Sequence, residues 1–326
     1  MKSNTKLLYT FGVISDLHIG EKSIYVDNFK TAIKSLEKLN VEFITISGDI
    51  TRKGQANRED IDYSNNDANC DGRSEDLDVL MKAVDDCNIT ISMYMCGGNH
   101  DVTQKNSKWH TTVDELGRNK LNKKNIDICN DNEKTYSALI HNDLFIFISF
   151  DRGYGDNTYI ESIPWAIKKI EENEDKRIFI FIHYPLMDGV AGEFENEYFG
   201  FSKNAKDNKK LLDIITKHKN IIVFSGHTHH PYELAKSDIR KEKANFYLLD
   251  DSKSTALVSA GVISYSINET TAIEPWITTP DYAPEGLIVK VYDNQVVIEP
   301  IRLKEIKYLG EKYIVNSLIS NNEKKT

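Results

Sequence analysis

Five apolar runs in this 326-residue chain end in side chains able to bind a metal: ISDLH (Asp16, His18), SGD (Asp49), CGGNHD (Asn99, His100, Asp101), FIHYP (His183) and SGHTH (His227, His229). Charge and imidazole at the end of a buried strand are costly unless something satisfies them. In DxH and HxH both side chains fall on one face if the strand continues. Carboxylates, imidazoles and one amide, without a thiolate, make a mixed oxygen and nitrogen set suited to Mn, Fe or Zn. With His100 and Asp101 set aside, seven donors remain, too many for one ion. Two ions sharing a bridging carboxylate, about 3.5 to 4 Å apart as in two-metal hydrolases, use them all. Such a pair lowers the pKa of a shared water toward about 7 and so supplies hydroxide at neutral pH.

The residues that must be brought together are far apart, so the elements between them matter. Strand-like LLYTFGVIS, helix-like YVDNFKTAIKSLEKLN and strand-like EFITISG open a βαβ unit, which LDVLMKAVDDC and ITISMYMCG repeat after a polar stretch from Arg52 to Asp76. YSALIHN and DLFIFISF suit a hairpin. A helix near PWAIKKIEEN then leads to RIFIFIH, and DNKKLLDIITKHK leads to IIVFSGH. In such α/β sheets, ligands bind at the carboxyl ends of the parallel strands. Gly48, Gly97, Gly98 and Gly226 fit the tight turns needed there. From about residue 243 helices stop, and NFYLLDD, ALVSAGVISYSI, EGLIVKVYD and QVVIEPIRL follow, the last two as a hairpin at YDNQ. A second, antiparallel sheet packed on the first accounts for them. The expected domain runs over 1–302, with motifs in 12–230 and the β-rich part in 243–302. Residues 303–326 form an extension with a frayed, lysine-rich end.

DLH, GD, GNHD, H and GHTH, in that order from Asp16 to His229, resemble the motifs of the calcineurin-like metallophosphoesterases, or dimetal phosphoesterases. The resemblance implies an α/β fold, a four-layer α/β/β/α sandwich of two mixed sheets flanked by helices. It implies Asp16, His18 and His229 on a first metal, Asn99, His183 and His227 on a second, and Asp49 bridging them. His100 resembles the catalytic histidine that contacts the phosphate and protonates the leaving oxygen, with Asp101 orienting its ring. Lys53, in GDITRKG, stands where serine/threonine phosphatases carry the arginine of GDxxDRG and is a candidate phosphate contact. This chain has GNHD rather than their GNHE and lacks DRG, which weighs against a protein phosphatase. Arg52 replaces the tyrosine ligand of purple acid phosphatases, which weighs against that subgroup. The whole set is similar to bacterial cyclic-nucleotide and glycerophosphodiester phosphodiesterases, implying a small phosphodiester substrate. A phosphomonoesterase on nucleotides or phosphoproteins, a non-catalytic scaffold and a DNA-repair nuclease are the alternatives.

Forty-one basic against fifty acidic residues, a net charge of -9, argue against a broad electrostatic grip on nucleic acid or an anionic membrane. Cys70, Cys87, Cys96 and Cys129 form no CxxC and read as reduced thiols. No signal-peptide h-region and no apolar run of about 18 residues stand out, so a cytoplasmic protein is expected, its oligomeric state open. DANCDGRSEDLD places Asp67, Asn69, Asp71, Gly72 and Asp78 at positions 1, 3, 5, 6 and 12 of an EF-hand-like loop. It reads as a calcium site or as a solvated acidic loop with Ser74 or a carboxylate capping the next helix. GEFENEYFGFS, residues 192 to 202, carries Phe194, Tyr198, Phe199 and Phe201 and reads as a substrate-facing lid or a loop anchored by its aromatic rings. His110, His141 and His218 are expected away from the metals, and His230 is a candidate substrate contact.

Overall fold

The computed structural model describes residues 5–52, 71–101, 106–151, 159–186, 206–229, 231–232, 245–264, 266–268, 277–279 and 284–318. Apolar strands alternate with amphipathic helices through its first part. Strand β1 (Leu7–Ile14) is followed by α1 (Ser23–Lys38), β2 (Phe43–Ser47), α2 (Asp71–Cys87), β3 (Ser92–Cys96) and α3 (Asn106–Leu116). β1, β2 and β3 pair in parallel. The second sheet begins antiparallel with β4 (Ile126–Ile128), β5 (Tyr136–Ile140) and β6 (Asp143–Ile148). It continues through α4 (Ser162–Glu171), β7 (Ile178–Ile182), α5 (Lys206–Ile215) and β8 (Ile221–Ser225), with β6, β7 and β8 parallel. Among the described residues no helix is long and apolar enough to cross a membrane.

Apart from one two-stranded pair, the C-terminal strands do not build a sheet of their own, which the loss of helical pattern after residue 243 had suggested. β9 (Phe246–Leu248) and β10 (Ala256–Ser259) join the second sheet, β10 running parallel to β8. β11 (Ser266–Asn268) pairs only with β12 (Ile277–Thr279). The hairpin of β13 (Glu285–Tyr292) and β14 (Gln295–Arg302) lies antiparallel beside β1. The chain also stays on this sheet past residue 302, because β15 (Lys307–Tyr308) and β16 (Tyr313–Asn316) both pair with β14. Two mixed sheets flanked by helices result, and burial on both faces leaves nothing in a strand's periodicity to say which sheet it joins.

Alternation along single strands explains the layers. In β7, IFIFI, Phe179 and Phe181 enter the core between the sheets, while Ile178, Ile180 and Ile182 pack beneath α4 and α5. β6 repeats the pattern, with Phe145 and Phe147 inward and Leu144, Ile146 and Ile148 toward the helices. Phe11 of β1 meets Phe145, Phe179, Phe181 and Phe224 edge-on, which locks the two sheets face to face. Helix α3, absent from the sequence reading, buries Trp109, Thr112, Val113 and Leu116, an i, i+3, i+4, i+7 face.

The calcium reading of residues 67–78 is corrected by α2. Asp67 and Asn69 lie outside the described residues, and the chain is already helical at Asp71. The helix that runs from Asp71 through Asp78 replaces the loop over which positions 5 to 12 of such a site wrap an ion. Asp78 instead pairs with Lys108. Ser74 is inside the helix and so is not its cap. The lid reading of residues 192–202 falls outside the described residues.

Near the starts of the strands a buried ion pair ties the sheets. Asp143 accepts from the Tyr9 hydroxyl and, at 3.1 Å, from Arg177 Nε, while Arg177 Nη1 donates to the Tyr292 carbonyl at 2.8 Å. Asp143 and Arg177 are both buried. Removing one partner of such a pair strands the other charge, so Asp143→Ala is expected to cost about 3 to 5 kcal/mol. Urea unfolding of the variant checks this; a loss below about 1 kcal/mol, the range of exposed pairs, would show that Arg177 re-solvates.

Candidate metal centre

The strand ends hold one another before any side chain is considered. Past β1 the pairing with the β2 segment continues, from Asp16 N to Gly48 O at 3.1 Å, His18 N to Asp49 O at 3.0 Å and Ile19 N to Ile50 O at 2.9 Å. Gly226 N donates to His183 O at 3.0 Å and joins the ends of β7 and β8. Between the sheets, His183 Nδ1 sits 2.8 Å from the Ser47 carbonyl, and His227 N lies 3.1 Å from Asp16 Oδ2. Gly48 has φ +93°, and a Cβ there would meet His183 Nδ1 at 2.5 Å, so both backbone form and space require glycine.

DxH and HxH reach the cavity by a route other than strand alternation. Asp16, His18, Asp49, His227 and His229 have φ of 55°, 48°, 51°, 72° and 51°. They make up five of the eleven non-glycine residues with positive φ among those described. Left-handed backbone costs an L-residue about 1 to 2 kcal/mol. It persists where surrounding structure over-determines it, and such strain clusters at functional sites. Leu17, between Asp16 and His18, is buried in the core.

Among the described residues three groups of donors result, the third, His18, Glu21 and His100, sharing His18 with the first. The ligand atoms of Asp16, His18 and His229 lie within 4.8 Å of one another, as do those of Asp49, His183 and His227. In the first, His229 Nε2 is 3.1 Å from Asp16 Oδ1 and 3.1 Å from His18 Nε2. In the second, Asp49 Oδ2 is 3.1 Å from His183 Nε2. The same Asp49 oxygen lies 3.8 Å from His18 Nε2 and so faces both groups. Asn99 is buried on the loop after β3, its Oδ1 without a hydrogen-bond partner, and His183 Nε2 forms no hydrogen bond despite its carboxylate neighbours. Asp16 and Asp49 are each 1% exposed. Buried oxygen and imidazole atoms converging without mutual satisfaction fit two cations.

Electrostatics agree with that fit. Burial opposes ionisation of Asp16, yet His229 and His183 beside it hold its carboxyl below the usual range. Burial likewise opposes ionisation of Asp49, which His100 and His183 hold well below the usual range. His183 is disfavoured as a cation by burial, but Asp49 and then Asp16 raise it to about 9. Burial, then the neighbouring His183, pushes His227 down to about 3.

Asp101 is buried on the loop after β3. Its carboxylate accepts from the backbone of Ile50, Thr51 and Gly98 at 3.1, 2.9 and 2.8 Å and from the Thr51 hydroxyl at 2.9 Å. It clamps the loops after β2 and β3. His100 Nε2 is 3.8 Å from Asp49 Oδ2, its Nδ1 3.5 Å from Glu21 Oε1, and its backbone N donates to Asp49 Oδ1 at 2.9 Å. Glu21 was missed in the sequence, where its place three residues after His18 was the available signal. Lys53 and His230 are outside the described residues. His110 pairs with Glu133, His141 with Glu42 and His218 with Glu174, none of them within either donor group.

Arg52, at the position of the purple acid phosphatase tyrosine, pairs through Nε with the buried Asp76 at 3.3 Å. In fold, the chain is nevertheless similar to the purple acid phosphatase PPD1 from seeds of yellow lupin, Lupinus luteus. The identity is 12%, the TM-score 0.56, and the match covers 94% of this chain but 53% of that one, about half its length. It is also similar to GAP50, the anchor in the inner membrane complex of Plasmodium, at 11% identity and TM-score 0.55, covering 95% of this chain and 89% of that one. At these identities the likeness shows the fold alone. The sequence matches no curated protein. A model of the calcineurin-like phosphoesterase family, however, matches residues 9–231, which span every motif from DLH to GHTH. This chain belongs to the calcineurin-like phosphoesterases.

Proposed function

We propose that this chain hydrolyses phosphoesters at a pair of cations, with small phosphodiesters such as cyclic nucleotides or glycerophosphodiesters as its substrate class. Asp16, His18 and His229 would hold one ion and Asn99, His183 and His227 the other, with Asp49 shared. The observation that carries the reading is the single Asp49 oxygen facing both donor groups, 3.1 Å from His183 and 3.8 Å from His18. When bound, two Mn, Fe or Zn ions supply Lewis acidity toward a phosphoryl group and lower the pKa of water toward about 7.

The chain's own residues do the rest. His100 stands at the edge of the cavity with its Nε2 on the side of Asp49, where it delivers a proton to the leaving oxygen. Asp101 keeps that geometry indirectly, by fixing the backbone on which Asp49 and His100 ride. Lys53 remains the candidate contact for a substrate phosphate. The likeness to an anchor protein raises a scaffold reading, but the retention of all seven donors and His100 in this chain favours hydrolysis.

Comparing kcat/KM for bis-p-nitrophenyl phosphate and p-nitrophenyl phosphate with Mn-reconstituted protein tests the substrate class. A preference for the monoester would overturn the diester assignment, and no turnover of either would favour the scaffold. His100→Ala should retain both cations by elemental analysis yet lose roughly 10²- to 10⁴-fold in turnover. Equal rates at equal metal content would remove His100 from the chemistry.

The His183 shift sets a pH dependence. In metal-free protein its imidazole, at about 9, carries a proton at neutral pH that a cation must displace. Metal affinity should therefore rise as pH increases from 7 toward 9, with proton release on uptake, measurable by calorimetry in buffers of different ionisation enthalpy. The stability of the metal-free fold has the opposite sign. A raised histidine contributes fully below its unfolded value of about 6.5 and loses that contribution as pH climbs through about 9.

A further inference from the structure

Gly20 has φ +99° and lies against Asp76, where a Cβ would meet Oδ1 at 2.1 Å. The chain therefore doubles back after the DLH motif, and Glu21 N donates to the His18 carbonyl at 3.2 Å. The turn brings the Glu21 carboxylate over two rings at once. Its Oε1 is 3.0 Å from His18 Nδ1 and 3.5 Å from His100 Nδ1, and the two imidazoles meet edge to face with centroids 4.4 Å apart. His18 belongs to the first donor group and His100 is the candidate acid, so one oxygen touches both functions.

We infer that Glu21 is a positioning residue that orients His18 and His100 together, coupling retention of the first cation to placement of the proton donor. An ionised carboxylate only accepts, so the His18 nitrogen facing it is the one bearing hydrogen. That leaves the Nε2 lone pair of His18 turned toward Asp49 and His229, as a metal ligand requires. The longer contact to His100 keeps its Nδ1 toward Glu21 by charge and leaves Nε2 on the side of Asp49. Glu21 lies at the surface, its side chain 28% exposed. Glu21, His18 and His100 could also hold an ion of their own; the carboxylate is assigned a positioning role because His18 Nε2 is turned to the first donor group, and the cation count of Glu21→Ala separates the two.

This inference rests on the two-cation reading, but its first test does not. Long-range 1H–15N spectra of histidine-labelled, metal-free protein read the Nδ1 sites directly. Glu21→Ala should move the Nδ1 resonances of both His18 and His100, and Glu21→Gln, whose amide oxygen still accepts, should keep that of His18 near its original position. Resonances of either histidine unchanged in Glu21→Ala would overturn the inference. The consequence is read by metal titration and steady-state kinetics. Glu21→Ala should bind one of the two cations roughly 10- to 100-fold more weakly. At saturating metal it should lower kcat with KM little changed, and Glu21→Gln should recover most of the metal affinity. Three cations in the parent protein and two in Glu21→Ala would make Glu21 a ligand and overturn the positioning role. Moved Nδ1 resonances in a protein that binds no cation pair would uphold the contact and instead sink the hydrolase reading.

Discussion

Two carboxylates buried where two sheets meet set the terms for everything around them. Asp16 and Asp49 sit at the ends of neighbouring parallel strands, almost wholly shielded from water, with their oxygens turned toward imidazoles from the opposite sheet. Charges placed there are tolerable only with close compensation. His183, held as a cation by Asp49, provides part of it in the metal-free protein. The atoms left over, Asn99 Oδ1 among them, are what a pair of cations would complete. Stability and function thus draw on the same groups.

Such a centre needs a frame that does not yield, because four of its seven donors come from one sheet and three from the other. The aromatic core around Phe11 fixes the separation of the sheets, and the Tyr9–Asp143–Arg177 cluster fixes their relation near the other end of the strands. Left-handed backbone at five donor positions adds strain at the strand ends, about 1 to 2 kcal/mol for each residue. That strain is sustained by main-chain bonds which continue the β1–β2 pairing past the strands and by the Asp101 carboxylate, which gathers three backbone amides. In Asp101 burial and the nearby Asp49 raise the pKa, while its backbone donors stabilise the charge.

Much of this was legible in the sequence because it is carried by short-range pattern. IFIFI and DLFIFI announce doubly buried strands, and the run of DLH, GD, GNHD, H and GHTH names donors whose convergence follows from parallel strand ends. What the sequence left open depends on long-range partners. The burial of β10, β13 and β14 on both faces hides which sheet each joins, so the C-terminal strands read as a separate sheet when they in fact complete both. DANCDGRSEDLD matched calcium-ligand spacing although its second half is helix, a case where residue identity mimicked a loop that backbone conformation forbids. The expected strand alternation in DxH gave the right convergence for the wrong reason, since the backbone there is left-handed. Glu21 escaped notice because its meaning depends on a turn at Gly20 that brings it back over His18.

The two histidines with the clearest Nδ1 partners are held by different kinds of acceptor, and the difference has consequences. His183 Nδ1 faces the Ser47 carbonyl, so its orientation is tied to the backbone of β2 in the opposite sheet and cannot change without moving the core. His18 Nδ1 faces a carboxylate on a surface turn, which can be altered while the strands stay in place. A neutral carbonyl fixes a tautomer; an anionic carboxylate also raises the basicity of the ring it holds. The same family fold can therefore keep its second donor group constant through packing while tuning the first from the surface. In this chain the Glu21 carboxylate also reaches His100, so a change there would alter the surroundings of both rings together.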